Sequence, residues 1–291
     1  MTISVSGANG FTGRFVCSEL LRRQLPFIAV LRPGNDPSWM LNKRIRYRFA
    51  DLEDPQQFVH ALRGCSSLLH VASIGFGSAP SIIESCKRAG ISRVVFVSTT
   101  SIYTKLNAGS KKVRLAAEAS IKSSSLDYTI IRPTMIYGTN RDRNMIRLVR
   151  WIDRWPILPV FGDGLSLQQP VHVSDVAWTL VESLQHPESI GLDFNISGEE
   201  PLTYNEVVRL IAFYLGRPLI RIHIPFTPVV YLLKLLEFFQ LFLPLKSEQI
   251  LRLNENKNFS YTNAAHILGY KPISFHEGIQ MEVSLYRGID L

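Results

Sequence analysis

The segment SVSGANGFTGRFV, residues 4–16, sets Gly7, Gly10 and Gly13 three apart, between a β-branched run and a helical pattern. Glycines so placed do chemistry through the backbone. Gly7 permits a tight turn, Gly10 lets N–H groups approach a pyrophosphate, and Gly13 lets the helix pack closely on the strand. An anion bound there meets unsatisfied N–H groups and the positive end of the helix dipole. With Asn9 and Phe11 in the same turn, the segment is expected to hold a dinucleotide. The acid that usually binds the adenosine ribose should follow about 20 residues later. There the second strand ends VLRPGND, with Arg32 in the acid's place. Arginine suits a 2′-phosphate, which favours NADP(H) over NAD(H); a solvated strand-end arginine is the plainer alternative.

A second cluster is RNMIRLVRWIDR, residues 143–154, in which Arg143, Arg147, Arg150 and Arg154 share one helical face. A stripe of arginines without lysine matches the bidentate geometry of phosphate, although scattered charges more often mark a solvated face. Asn144 and Arg147 lead as contacts to a substrate diphosphate, and His172 joins them on the substrate side.

These residues need a scaffold. ISVS (3–6), FIAVL (27–31), IRYRFA (45–50), SLLHVA (67–72), RVVFVS (93–98) and DYTIIRP (127–133) read as strands. Helical spacing fills Phe11–Leu25, Pro55–Leu62, Ala79–Ala89 and Ser110–Lys122. The alternation predicts an α/β fold, a doubly wound parallel sheet with right-handed crossovers. LDFNIS (192–197) reads as a late strand, and helices are expected to dominate from Thr203 onward. Residues 1–200 would form the Rossmann domain, with a substrate-lobe insertion at about 139–175. Residues 201–291 would form a smaller, mostly helical substrate lobe.

Taken in order, GANGFTG, ADLED (50–54), HVAS (70–73), VVFVSTTSIY (94–103), IIRPTMIYG (130–138) and QPVHVSDVA (169–177) resemble the extended and atypical short-chain dehydrogenase/reductases. More narrowly, they are similar to the NAD-dependent epimerase/dehydratase group acting on nucleotide sugars. The resemblance implies adenine contacts from Asp51 and Leu52, and Ala72 and Ser73 along the middle of the cofactor. It implies Pro133 and Met135 beside the nicotinamide and Thr99 as the Ser/Thr that binds the reacting oxygen.

One departure bears on the chemistry. The family relies on a Tyr-x-x-x-Lys pair, in which lysine and the cofactor ribose lower the tyrosine pKa. None of the 10 tyrosines has lysine four residues later. Counting back from Glu118 puts Arg114 in the lysine slot and Ser110 in the tyrosine slot. Arginine can still hold the ribose, whereas serine is a poor acid near neutral pH. Tyr103 is the remaining candidate donor.

Composition sets outer bounds. The 291 residues are 46% apolar and 19% charged, enough for a real core. Cys17, Cys65 and Cys86 form no CxxC pair, and no histidine spacing indicates zinc. A net charge of +8 favours an anionic ligand, but no nucleic-acid signature accompanies it. MTISVSGANG has no signal-peptide pattern, so a cytoplasmic protein is expected. PVVYLLKLLEFFQLFLP (228–244) is apolar apart from Lys234, Glu237 and Gln240. A helix of that length spans about 22 Å, short of a hydrocarbon core of roughly 30 Å. A buried helix of the substrate lobe is the leading reading. A homodimer face and peripheral membrane contact stay open. The functional expectation is an NAD(P)-dependent oxidoreductase or epimerase acting on a phosphorylated or nucleotide-linked sugar. The rival is a non-catalytic NAD(P)-binding sensor or assembly protein.

Overall fold

The computed structural model describes residues 2–239 and 247–289. Seven parallel strands form the central sheet: β1 (Ile3–Ser6), β2 (Phe27–Leu31), β3 (Tyr47–Phe49), β4 (Ser67–His70), β5 (Arg93–Val97), β6 (Asp127–Pro133) and β11 (Asp193–Ile196). Their order is β3-β2-β1-β4-β5-β6-β11. The order reverses between β1 and β4, and a crevice opens there beyond the strand C-termini, where α/β sheets bind ligands. β1, β2 and β4 are buried along their whole length, as strands covered on both faces must be.

One face is covered by α1 (Phe11–Arg22), α7 (Val173–Gln185) and α11 (Thr262–Leu268), through Val16, Cys17, Leu20, Val176, Leu180 and Leu268. The other is covered by α3 (Pro55–Leu62), α4 (Ala79–Arg88) and α5 (Gly109–Lys122), through Phe58, Leu62, Ile82, Cys86 and Ile121. α2 (Ser38–Asn42) is a short turn beside β2 that buries Met40. Local chemistry starts the helices where they are needed. Asp54 caps α3 by accepting from the N–H of Gln56 at 2.9 Å and Gln57 at 3.1 Å, with Pro55 at the first helical position. All three cysteines are free and buried.

A smaller core joins α6 (Met145–Arg154), α8 (Tyr204–Leu215) and α12 (Phe275–Tyr286) around Ile146, Val149, Val208, Ile211 and Ile279. Capping boxes, Thr203 with Glu206 and Ser274 with Glu277, open α8 and α12. Three two-stranded ribbons tie this core to the sheet: β7 (Ile136–Tyr137) with β10 (Val171–His172), β9 (Leu167–Gln168) with β12 (Leu202–Thr203), and β8 (Ile157–Phe161) with β13 (Ile220–Ile224). β13 falls in the stretch where helices were expected to dominate. IRIHI (220–224) has the two-residue alternation of a strand, and it gains a partner only through a contact 63 positions back in sequence, Ile220 against Ile157.

α9 (Phe226–Phe238) differs most from expectation. Val230 is its one buried residue, while Tyr231, Leu232, Leu235 and Phe238 are exposed, Phe238 by 80%. The helix docks by one edge. On that side the Glu237 carboxylate accepts from Ser247 N–H at 2.7 Å and Ser247 Oγ at 2.8 Å, which joins it to α10 (Ser247–Leu253). The opposite stripe consequently faces out. Gln240 to Pro244 of the expected helix lie outside the described residues. No helix among the described residues is long and apolar enough to cross a membrane.

Candidate functional site

A cleft of about 1450 Å³ opens at the C-terminal ends of β1, β5 and β6, between the sheet and the smaller core. The glycine turn forms one end. Gly7 has φ +73°, and a Cβ there would stand 2.6 Å from the backbone N of Ala72. A Cβ on Gly13 would stand 2.1 Å from the carbonyl O of Gly7, so close helix–strand approach excludes any side chain. Gly10 is the N-cap of α1 and no side chain caps the helix, which leaves its first-turn N–H groups to the cleft. Gly7, Gly10, Phe11 and Gly13 all line it. A dinucleotide pyrophosphate fits this turn, since the space a side chain would fill is kept open by glycine.

Asn9 lies behind the turn and locks it. Its Oδ1 accepts from Arg14 Nε at 3.1 Å and Nη2 at 2.7 Å, and its Nδ2 donates to the Asp36 carbonyl at 3.2 Å. That last bond holds the loop after β2 beside the glycine turn. Arg32 is exposed at the start of this loop, with no side-chain partner among the described residues. Asp36 Oδ1 accepts from Ser38 N–H at 2.9 Å in the turn that leads into α2. Asp51 accepts from Glu53 N–H at 3.0 Å, and Leu52 packs on the α3–α4 core.

In the middle, Ser73 accepts from Gly75 N–H at 3.1 Å. A Cβ on Gly75 would stand 3.1 Å from Arg114 Nε and 3.2 Å from Ser73 Oγ, so Arg114 lies over the Ser73–Gly75 turn. Arg114 donates weakly to its own helix at the Ser110 carbonyl, 3.4 Å away. The structure thus brings Arg114 and Ser73 together, but Ser110 is exposed on α5 and neither it nor Arg114 lines the cleft.

Thr99 and Tyr103 do line it. Thr99 Oγ1 accepts from Ser101 N–H at 3.2 Å, which leaves its own O–H free to donate. The Tyr103 hydroxyl is engaged on the protein side. It accepts from Arg132 Nη1 at 3.0 Å and donates to Asn195 Oδ1 at 3.3 Å. Arg132 is fixed by Glu118 (Nη2 to Oε2, 2.5 Å) and Asp193 (2.9 Å), and Ser98 donates to Glu118 at 2.5 Å. Glu118 therefore anchors a buried ion-pair network under Tyr103. Pro133 closes β6, and its carbonyl accepts from Thr100 Oγ1 at 3.3 Å; Met135 lines the cleft two residues on.

At the far end, Arg143, Asn144 and Arg147 line the cleft. Neither Arg143 nor Arg147 has a side-chain partner among the described residues, whereas Arg154 stacks on Trp155 at 5.6 Å and Arg150 lies off the cleft. Asp142 holds the turn into α6, accepting from Asn144 N–H at 2.9 Å and Ile146 N–H at 3.2 Å. Behind it, the buried Glu282 accepts from Gly138 N–H at 3.0 Å. Burial, and then Asp142 beside it, push the Glu282 carboxyl up to about 10. His172 is not brought to the cleft. It is buried against Tyr137 (5.4 Å between rings), its Nδ1 accepts from Ser174 N–H at 3.3 Å at the start of α7, and burial lowers it to about 4.

Sequence reasoning missed the segment 252–259. Arg252, Glu255, Lys257 and Phe259 all line the cleft from a chain stretch with no motif of its own. Glu255 accepts from Thr104 Oγ1 at 2.6 Å and Lys105 N–H at 2.8 Å, and Phe259 lies 5.3 Å from the Tyr103 ring.

Comparison with known proteins agrees with this arrangement. A family model described as NAD(P)H-binding matches residues 7–187. An uncharacterized UDP-glucose epimerase of Bacillus subtilis, YtcB, is 24% identical over 267 residues, covering 75% of this chain and 83% of its own. The uncharacterized Mycobacterium tuberculosis protein Rv2047c is 25% identical over 234 residues; the match covers 77% of this chain but only 24% of that protein's length. The crystal structure of Thermotoga maritima UDP-glucose 4-epimerase with UDP-glucose superposes with a TM-score of 0.77 at 18% identity, covering 99% of both chains. The chain belongs to the NAD(P)H-binding family, with a Rossmann fold of the epimerase/dehydratase type.

Proposed function

We propose that the protein is an NAD(P)-dependent oxidoreductase or epimerase acting on a phosphorylated, nucleotide-linked sugar, with NADP(H) preferred. One observation carries this reading. A single cleft joins the glycine turn to Thr99 and then to Arg143 and Arg147, whose side chains have no partner among the described residues. Dinucleotide, reacting carbon and substrate phosphates could therefore share one cleft. When bound, a nicotinamide cofactor supplies or accepts hydride at C4. Around it the turn of Gly7, Gly10 and Gly13 would take the pyrophosphate, and Arg114, packed over the Ser73–Gly75 turn outside the cleft lining, would reach in to hold the ribose. Arg32, held near the turn by the Asn9–Asp36 bond, takes the 2′-phosphate. Thr99 donates its free O–H to the reacting oxygen. Arg147, with Asn144 and Arg143, binds the substrate diphosphate bidentately. The smaller core with its C-terminal helices is the substrate lobe. The named activity of YtcB and the UDP-glucose in the Thermotoga structure support the choice of sugar nucleotide.

The second reading, a non-catalytic NAD(P)-binding sensor or assembly protein, draws on the absent Tyr-x-x-x-Lys pair and the exposed face of α9. That face is offered to a second copy or an anionic membrane surface. Incubation of [4-²H]NADPH with the 4-keto forms of UDP-glucose and UDP-N-acetylglucosamine separates the two readings. Deuterium at a sugar carbinol carbon is expected. Tight NADPH binding with no transfer across the panel would favour the second.

A further inference from the structure

The stretch Asn254–Phe259 leaves α10 and crosses the open ends of β5 and β11. It is fastened at every second residue or so. Glu255 bonds Thr104 and Lys105, the Lys257 N–H donates to the Leu167 carbonyl at 2.7 Å, and the Phe259 N–H donates to Gln169 Oε1 at 2.9 Å. Ser197, just past β11, donates to the Phe259 carbonyl at 2.7 Å. Lys257 pairs with Gln168 in a parallel bridge, so the backbone is extended there. In extended chain, side chains two apart share a face. Phe259, two residues on, reaches the ring of Tyr103, and Lys257 lines the same cleft as Thr99, Thr104 and Glu255.

The Lys257 side chain lines the cleft, and its ammonium has no hydrogen-bond partner among the described residues. Burial lowers its pKa below the ordinary lysine value; Glu255 opposes this and Arg252 adds to it. Lys105 and Tyr103 are the other titratable groups that the facing loop brings to this part of the cleft. A desolvated lysine is a better proton donor than an exposed one, because its pKa lies nearer the working pH. The usual donor is missing here, and the Tyr103 hydroxyl is already committed to Asn195 and Arg132.

We propose that Lys257 is the proton donor to the oxygen held by Thr99, standing in for the absent Tyr-x-x-x-Lys pair. This rests on the oxidoreductase reading above. In the reductive direction the carbonyl carbon accepts hydride from the reduced nicotinamide as the C=O π bond opens. The oxygen takes a proton from Nζ, and the neutral amine regains one from solvent in the cleft. The same two electrons that leave the nicotinamide reduce the carbonyl to the carbinol.

Reductive ¹³C-methylation of the full chain gives a resolved NMR signal for each lysine, and K257R identifies that of Lys257. The signal is expected to titrate below those of the exposed lysines. It should move when NADP⁺ is added, and stay in place with 2′-phospho-ADP-ribose, which lacks the nicotinamide. Titration alongside the exposed lysines, or equal movement with both nucleotides, would overturn the assignment. Kinetics give the second readout. Reduction of the 4-keto UDP-sugars by NADPH should fall as pH rises through the Lys257 pKa measured by NMR. K257M should lose about 10²–10⁴-fold in rate with unchanged NADPH affinity. A K257M rate and pH profile matching wild type would also overturn it. A chain that binds neither nucleotide is a different failure: it removes the oxidoreductase reading, and the donor role falls with it.

Discussion

Arg32 and His172 show how differently two residues chosen from sequence can stand in the fold. Arg32 is exposed at the end of β2, with no side-chain partner among the described residues, on a loop that Asn9 binds to the glycine turn. Arg32→Asp is therefore expected to exchange a 2′-phosphate partner for a ribose-hydroxyl acceptor. Fluorescence titration should show NADPH affinity falling at least tenfold while NADH affinity holds or rises; equal NADPH binding by both proteins would end that role for Arg32. His172 stood in a motif and was expected on the substrate side, but it does not line the cleft. Its environment was not legible, because burial against Tyr137 and the start of α7 is a tertiary fact. Lys257 is the converse. Nothing adjacent in sequence marks it, and only the crossing of a late strap brings it into the cleft that Thr99 also lines.

Among the elements, α12 and α9 carry separate expectations. Glu282 on α12 holds the turn at Gly138 that leads into α6. Its folded pKa of about 10 lies above the ordinary 4.5, so the folded state keeps a proton that the unfolded chain has released above that value. Stability from this group is complete below pH 4.5 and is lost as pH rises toward about 10. Glu282→Gln should consequently raise stability at pH 8–9 by on the order of 1–3 kcal/mol and flatten its decline with pH. Urea denaturation at pH 6 and pH 9 measures this, and parallel losses in both proteins would refute it. For α9, Leu235 and Phe239 are 56% and 64% exposed, so replacing both with glutamate should leave a folded, NADPH-binding chain. Light scattering and sedimentation with anionic vesicles then tell which partner is lost, a second copy or a lipid surface. Unfolding of the double variant would mean the stripe is buried after all. Strong apolarity read from sequence is ambiguous in this way: it marks what avoids water, while the docked edge at Val230 and Glu237 decides which side is covered.

For the whole molecule, the alternating pattern of strands and helices was enough to place the strands of a doubly wound parallel sheet, because consecutive βαβ units leave few alternatives. The seven sheet strands lie where the β-branched runs stand, and the glycine turn falls at the crevice beside β1 and β4. The three ribbons, the exposed α9 and the strap at 254–259 depend on pairings between distant segments, which no local periodicity encodes. The central claim is that this crevice holds a nicotinamide dinucleotide on the glycine turn. NADPH fluorescence titration of wild type against Gly10→Val tests it most directly. A Cβ at Gly10 meets only the Gly7 carbonyl, at 3.1 Å, so the variant should keep its circular dichroism spectrum while its β-branched side chain takes the pyrophosphate's space. Saturable 1:1 binding by wild type and none by the folded variant is the predicted result. Equal binding by the two, or none by wild type, would contradict the account.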